Sequence, residues 1–295
     1  MEWVNSAVQG ILLGGLYALF ATGLAIVFGI MRLTNLAHGD FTILPAYLAL
    51  VLVGAIGLNP FYSIPISMAI MFMVGYLLQR SLLNRLVGSK IAIGVIVTFG
   101  LSMVIQNGLL LGYGPNSQGL DAGKIENMSI RISENLSIGW LPLIIFLTAV
   151  VVISGLQLFL VHTRMGGAFR AVSDDHQAAR LMGINTQHIY AVAMGVALGI
   201  IVIGGTMMGI RTTFDPLLGN QRLIFAFEAV IIGGMGSGWG TLIGGVILGL
   251  AQTVGAQILG PAWSIFAGHA IFVIILAVRP QGLLARTVLA KGVAS

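Results

Sequence analysis

No cysteine occurs anywhere in the 295 residues, which excludes disulfides, thiolate catalysis and cysteine-bound metal. Charge is nearly as scarce: only 8% of residues are Asp, Glu, Lys or Arg, too few to cover a soluble domain of this length. The N-terminus, "MEWVNSAVQG", lacks the basic n-region of a cleaved signal peptide, so the first apolar run reads as a retained helix. Catalytic signatures are missing too. There is no G-x-x-x-x-G-K-[ST] for ATP, no H-E-x-x-H and no G-x-S-x-G. "GGMGSGWGT" is rich in glycine, yet it carries no lysine and lacks the strand-to-helix setting of a dinucleotide site. One membrane-depth histidine with two scattered carboxylates is not a metal set. These absences leave no catalytic residue, no metal ligand and no cofactor bound by the chain, and they favour transport over enzymatic work.

Apolar sequence takes the place of all this. Hydrophobic residues make up 57% of the chain, and mean hydropathy is +1.00. Runs of about 20 apolar residues, the length a membrane helix needs, recur throughout. They fall at roughly 7–30, 36–57, 59–79, 91–112, 139–161, 189–210, 223–236, 241–258 and 262–278. A β-barrel would show short alternating segments instead. The pattern predicts an all-α polytopic membrane protein, a single transmembrane domain over 1–295 with about nine passages.

The basic residues orient it. Alternating the passages puts Arg32, Arg80, Arg85, Lys90, Arg164, Arg170, Arg180, Arg279, Arg286 and Lys291 on one side. Only Lys124, Arg131, Arg211 and Arg222 fall on the other. Positive residues favour the cytoplasmic side. The N-terminus and a loop at about 113–138 are therefore expected outside, and the C-terminus and a polar stretch at about 162–188 inside. This placement in short loops, rather than in a basic patch, also explains the pI near 9.9 without nucleic acid.

Two passages look broken. In "RLTNLAHGDFTILPAYLAL", polar residues, Gly39 and Pro45 interrupt what should be a second helix. In "AFEAVIIGGMGSGWGTLIGG", the apolar run ahead of the glycines is too short to cross about 30 Å of hydrocarbon. Irregular backbone at membrane depth survives only where protein buries it or where it lines a water-filled cavity, so two breaks point to a pathway. Its candidate lining is Asn35, His38, Gly39, Asp40, Glu228, Gly233, Gly234, Gly236 and Gly238. A carboxylate at mid-membrane costs about 2.5–3.5 kcal/mol on insertion scales, so Asp40 and Glu228 should face protein or water. Pathway lining, proton coupling and structural hydrogen bonds all remain open for them. The spacings Gly195/Gly199, Gly205/Gly209 and Gly245/Gly249 read as close helix packing. The Gly233–Gly240 cluster suits packing and pathway equally.

The polar stretch "RAVSDDHQAARLMGINTQ" stands apart from everything around it. A helix over about 174–182 is expected, with Asp174 and Asp175 at its positive end and Arg180 further along. Gly183 should end it in a left-handed conformation. Such a segment suits anionic lipid or a partner's groove. The acidic start disfavours lipid, and the small Ala178 and Ala179 favour close docking on protein.

"QAA" followed by three residues and a glycine resembles the E-A-A-x-x-x-G loop of ABC importer permeases, which contacts their ATPase subunits. Here Gln177 stands in place of the glutamate, and no Leu-Pro pair closes the motif. "GGLYALFATGLAIVFGIMRLTNLAHGDF", "VTFGLSMVIQNG", "RAVSDDHQAARLMGIN", "FEAVIIGGMGSGWGTLIGGVILGLAQ" and "RPQGLL" extend the resemblance, from about Gly10 to Leu284, to the branched-chain amino-acid permease family of LivH type. The resemblance implies an importer subunit in a bacterial inner membrane, embedded in lipid beside a second similar permease. It implies two cytoplasmic ATPase subunits holding ATP and Mg, and a periplasmic binding protein that delivers substrate. Asp174, Asp175, Gln177, Ala178, Ala179, Arg180 and Gly183 would then couple to the ATPases, and the 113–138 loop would meet the binding protein. The substrates implied are branched-chain or other hydrophobic amino acids. Urea, amides and aromatic acids are alternatives within the family. An ion-coupled carrier using His38, Asp40 or Glu228, and a passive channel, are alternatives outside it.

Overall fold

The computed structural model describes residues 2–57, 59–88, 91–133 and 136–284. Lys90, Arg286, Lys291 and the chain's C-terminus, all used in the charge-based topology, lie outside them. The described chain is nearly all helical. In order it forms α1 (Glu2–Met31), α2 (His38–Ile56), α3 (Pro60–Ser81), α4 (Ile91–Tyr113), α5 (Trp140–His162), α6 (Arg164–Asp174), α7 (His176–Leu181), α8 (Thr186–Arg211), α9 (Gly219–Gly233), α10 (Gly238–Leu259) and α11 (Ser264–Val278). Among the described residues, eight helical stretches are long and apolar enough to cross a membrane, and α9 is not one of them. Its 15 residues reach only about 22 Å at 1.5 Å per residue. The protein is a multi-pass helical membrane protein. The stretch expected as a plain outer loop carries a small antiparallel hairpin, β1 (Ser129–Ser133) with β2 (Leu136–Gly139), in which Ile130 faces Ile138.

Contacts divide the chain into two compact units interleaved in sequence. The first holds the residues up to Ala25, then Ala122–Ile153, then those from Phe225 on. Here α1 and α10 touch through glycines: a side chain at Gly14 would strike the backbone of Gly245 and Val246, and one at Gly10 the backbone of Gly249 and Leu250. α11 packs on α10 through Gly268, which lies against Gln252. Residues 282–284 return to the end of α9. Leu283 N donates to Ile232 O (2.9 Å) and Leu284 N to Gly233 O (3.0 Å), satisfying carbonyls that a helix end leaves unpaired.

The second unit holds Ile26–Asp121 and Ser154–Ile224. α8, apolar on every side, is its buried centre, as an all-round apolar helix must be. α3 crosses it where Gly195 meets Phe72, and α2 where Gly205 meets Thr42 and Pro45. Gly209 approaches Ala46 and Leu120, while Gly199 makes only ordinary contact. Packing thus accounts for five of the six glycines in the three spacings, counting Gly245 and Gly249 in the first unit.

The irregular backbone lies elsewhere than the sequence indicated. Gly39 and Pro45 do not interrupt the second helix, because α2 runs through both. Pro45 is accommodated by its seat on Gly205. The irregular backbone is the preceding segment, 32–37. It opens with Arg32 at φ +50° and closes with Asn35 Oδ1 accepting from Ala37 N (3.1 Å), a turn that aims the chain into α2. The chain is irregular ahead of the short α9, at 212–218. The glycines behind it form a tight turn joining α9 to α10, with Gly234 at φ +100° and Gly236 at φ +85°. Gly233 and Gly240 face each other there too closely to admit a Cβ on either.

Candidate functional site

In the second unit the two irregular segments converge. Residues 33–40 run beside residues 94–106 of α4, about 18 Å of helix. Leu33 lies against Gly94, Leu36 N donates to Thr98 Oγ1 (3.2 Å), and Gln106 Nε2 donates to Asp40 Oδ1 (2.9 Å). Thr98, Ser102 and Gln106 form a buried polar stripe at four-residue spacing on a mostly apolar helix. Asn35, His38 and Asp40 are likewise buried. Within the irregular stretch 33–37, Leu33, Asn35 and Ala37 are buried, and Thr34 and Leu36 are half-buried.

The first turn of α2 meets the first turn of α9. A side chain at Gly39 would collide with the carbonyl of Gly219, and one at Gly219 with the carboxylate of Asp40. Asp40 thus lies at the positive end of α9, where a carboxylate is favoured. Gln106 Nε2 also reaches Ser102 Oγ (3.1 Å) and Asn220 Oδ1 (3.5 Å), tying α4 to the first turns of α2 and α9. Asp40 Oδ2 is buried without a hydrogen-bond partner. Of the residues the sequence reading grouped as a lining, Asn35, His38, Gly39 and Asp40 lie on this one stretch of chain, beside α4 and the start of α9. Ser102, Gln106, Gly219 and Asn220 complete the group and were missed; the i, i+4 spacing of Ser102 and Gln106 was their visible signal.

Glu228 is not part of that group. It belongs to the first unit, where its Oε1 hydrogen-bonds His269 Nδ1 of α11. Glu228 is 4% exposed and His269 38%. Phe225 stacks on the imidazole at 6.2 Å and tilts against Tyr17 at 5.0 Å, and Tyr17 Oη donates to Gln252 Oε1 (2.6 Å). His269 escaped the sequence reading, although it is the one ionisable residue in "SIFAGHAIFVIILAV". Gly233, Gly234, Gly236 and Gly238 lie in the same unit, in the α9–α10 turn and the first residue of α10.

The polar stretch folds as two helices, not one over 174–182. Asp174 ends α6; Asp175 is extended, at φ −148°, and caps α7. Its Oδ1 accepts from Gln177 N (2.8 Å) and Ala178 N (3.0 Å), so an N-cap has stopped one helix and started the next. Those bonds, Ala178's foremost, hold the Asp175 carboxyl below its ordinary value. Gly183, at φ +84°, closes the end: Gly183 N donates to Arg180 O (3.0 Å) and Ile184 N to Ala179 O (3.0 Å). Ala179 was expected to face a partner. It is 4% exposed and turned inward, while Leu181 and Met182 stand out at 89% and 82%. The capped turn rotates Ala179 under the segment and leaves Gln177, Ala178, Leu181 and Met182 outside. Arg180 Nε reaches back to Thr186 Oγ1 (2.9 Å). A cavity of about 410 Å³ adjoins this segment, walled by Ile30–Arg32, Val87–Gly88 and Val172–His176 among others.

Comparison with known proteins identifies the architecture. Residues 6–277 match the family described as branched-chain amino acid transport system / permease component. The chain belongs to that family. As a branched-chain permease component it is 27% identical to the high-affinity branched-chain amino acid transport system permease protein BraD of Pseudomonas aeruginosa, over 97% of this chain and 96% of that protein. It is 28% identical to the corresponding permease protein LivH of Escherichia coli K12, over 97% and 96%. The permease protein LivM of the same E. coli strain is 25% identical, over 92% of this chain and 68% of its own length. No solved structure matches this permease component.

Proposed function

We propose that this permease component is the membrane-spanning subunit of an ATP-driven importer of branched-chain amino acids in a bacterial inner membrane. The observation that carries the reading is the family match over nearly the whole chain, supported by relatives whose names specify branched-chain amino acid transport. Those names favour such substrates over urea, amides or aromatic acids. LivH and LivM, two relatives from one strain, support a second, similar permease as partner. With no P-loop in the chain, ATP and Mg belong to two cytoplasmic ATPase subunits. A periplasmic binding protein supplies substrate and meets the loop at about 113–138.

In this reading the chain crosses nine times, N-terminus outside and C-terminus inside. Residues 212–218 with α9 make up one crossing, the irregular part supplying the depth that α9 lacks. Asn35, His38, Gly39 and Asp40 border the translocation route where α2 and α9 begin, beside Gln106. Glu228 and the glycine turn, for which a pathway role was weighed, have sufficient structural roles in the His269 pair and in hairpin packing. The α6–α7 segment docks on the ATPases through Ala178, Leu181 and Met182, with Asp175 and Gly183 holding its shape.

The test is uptake of radiolabelled leucine into liposomes containing the permease pair. Uptake should require the ATPases, ATP and the binding protein together. Uptake driven by an ion gradient alone would replace this reading with a secondary carrier, and leak without either would replace it with a channel.

A further inference from the structure

The last turn of α1 is held by the coupling segment. Ser173, in the last turn of α6, donates its hydroxyl to Gly29 O at 2.5 Å. That carbonyl is one a helix end leaves without an intrahelical partner, because the chain departs from helix after Met31. Two residues further along the chain, just past the end of α6, stands Asp175, the cap of α7. Three residues beyond Gly29 stands Arg32, the only non-glycine residue at positive φ among those described. A left-handed backbone at a side-chain-bearing residue stores strain, and such outliers mark points where a chain is poised to turn. From Arg32 the segment 33–37 leads directly to Gly39 and Asp40, where α2 closes on Gly219 of α9.

We infer that Ser173 is a positioning residue that transmits movement of the α6–α7 segment, through the end of α1 and the Arg32 turn, to the closed contact between Gly39 and Gly219. The inference rests on the reading above, in which α6–α7 engages the ATPases and the α2–α9 junction borders the route. Three features support the linkage. The Ser173 bond ties α6 to a carbonyl that has no other helical duty. Only the six residues 32–37 separate the end of α1 from the first turn of α2, which carries Gly39 and Asp40. The cavity of about 410 Å³ beside Ile30–Arg32 and Val172–His176 leaves room for the two to shift together without steric collision. The carbonyl of Gly219, against which Gly39 is pressed, has no side chain in the way, so a small displacement of α2 opens or closes the contact.

The experiment uses the reconstituted importer with its ATPases and binding protein, in a Thr34→Cys background; the native chain has no other thiol. Removing the hydroxyl in Ser173→Ala should leave basal ATP hydrolysis and ATPase co-purification unchanged. It should lower substrate-stimulated hydrolysis and uptake about fivefold, the population shift a single hydrogen bond commands. It should also abolish the ATP-dependent change in labelling rate of the thiol at position 34. Ser173→Thr, which keeps the hydroxyl, should restore all three. Full stimulation and an unchanged labelling response in Ser173→Ala would overturn the linkage, as would loss of function that Thr does not rescue. Leu181→Asp, tested alongside, separates the two levels. If it abolishes ATPase association while Ser173→Ala has no effect, docking stands and the linkage fails; if neither variant has an effect, the docking reading fails as well.

Discussion

The imidazole of His269 holds the buried carboxylate of Glu228 through Nδ1, joining α11 to α9. Removing the half-exposed imidazole leaves the buried Glu228 side chain without this partner, which costs about 1–3 kcal/mol. His269→Leu should therefore lower the unfolding temperature of the detergent-solubilised protein markedly. Glu228→Gln, which keeps a hydrogen-bonding side chain without the charge, should be milder. Adding Glu228→Gln to His269→Leu should recover part of the loss. A double variant no more stable than His269→Leu would show that the pair is not the source of the effect.

Gly236 should be sensitive because of its backbone. At φ +85° an L-residue pays about 1–2 kcal/mol, and Asn tolerates that region better than a branched or bulky residue. Gly236→Leu should reduce the yield of folded protein, and Gly236→Asn should be closer to wild type in both yield and uptake. Well-folded Leu and Asn variants that both fail to transport would instead assign Gly236 to the route.

Exposed Leu181 and Met182 should carry the ATPase contact. Leu181→Asp and Met182→Asp are expected to reduce co-purification of the ATPases without changing the permease's thermal stability. Ala179→Trp should act differently, by overpacking the inward face of the segment at about 1–3 kcal/mol, so that stability falls along with coupling. Normal ATPase retention in both aspartate variants would remove this face from the docking surface.

Asp175 gives a pH expectation. Its folded value lies below the ordinary 3.8, so the cap's contribution is fully present above about pH 4 and is lost as pH falls through the depressed value. Coupling should therefore show no titration from this group between pH 6 and 8. Asp175→Asn should preserve coupling, since an amide oxygen also caps, while Asp175→Ala should weaken it. The readout is substrate-stimulated ATPase activity; an alanine variant indistinguishable from wild type would deny the cap a role.

Topology is checked in the native cysteine-free chain. The exposed Met182, changed to Cys, should react with an impermeant thiol reagent only from the cytoplasmic side, and the exposed Met128 only from outside. Reaction of both from one side would refute the nine-crossing arrangement. Ser173 is a poorer probe position, since its hydroxyl is engaged by Gly29.

Hydropathy made the membrane helices readable, because a bilayer demands long apolar runs and little else competes with that signal. It also pointed to irregular backbone near α2 and α9, but not to where that backbone lies. Pro45 looked disruptive because sequence does not reveal the groove at Gly205 that receives it. Asp174 and Asp175 looked alike, yet only Asp175 lies where its carboxylate can reach two free amides, and that choice turned one expected helix into two. Residues that act through distant partners were the least visible. Gln106 has meaning only beside Asp40, and His269 only beside Glu228.

The backbone bonds from Leu283 and Leu284 to Ile232 and Gly233 bear on the order in which the protein is made. Those carbonyls wait for residues synthesised about fifty positions later, several seconds at bacterial ribosome speeds of about 5–20 residues per second. The end of α9 is therefore finished only after α10 and α11 have been inserted. A polypeptide truncated ahead of Leu283 would hold every membrane-length helix among the described residues yet leave this junction open.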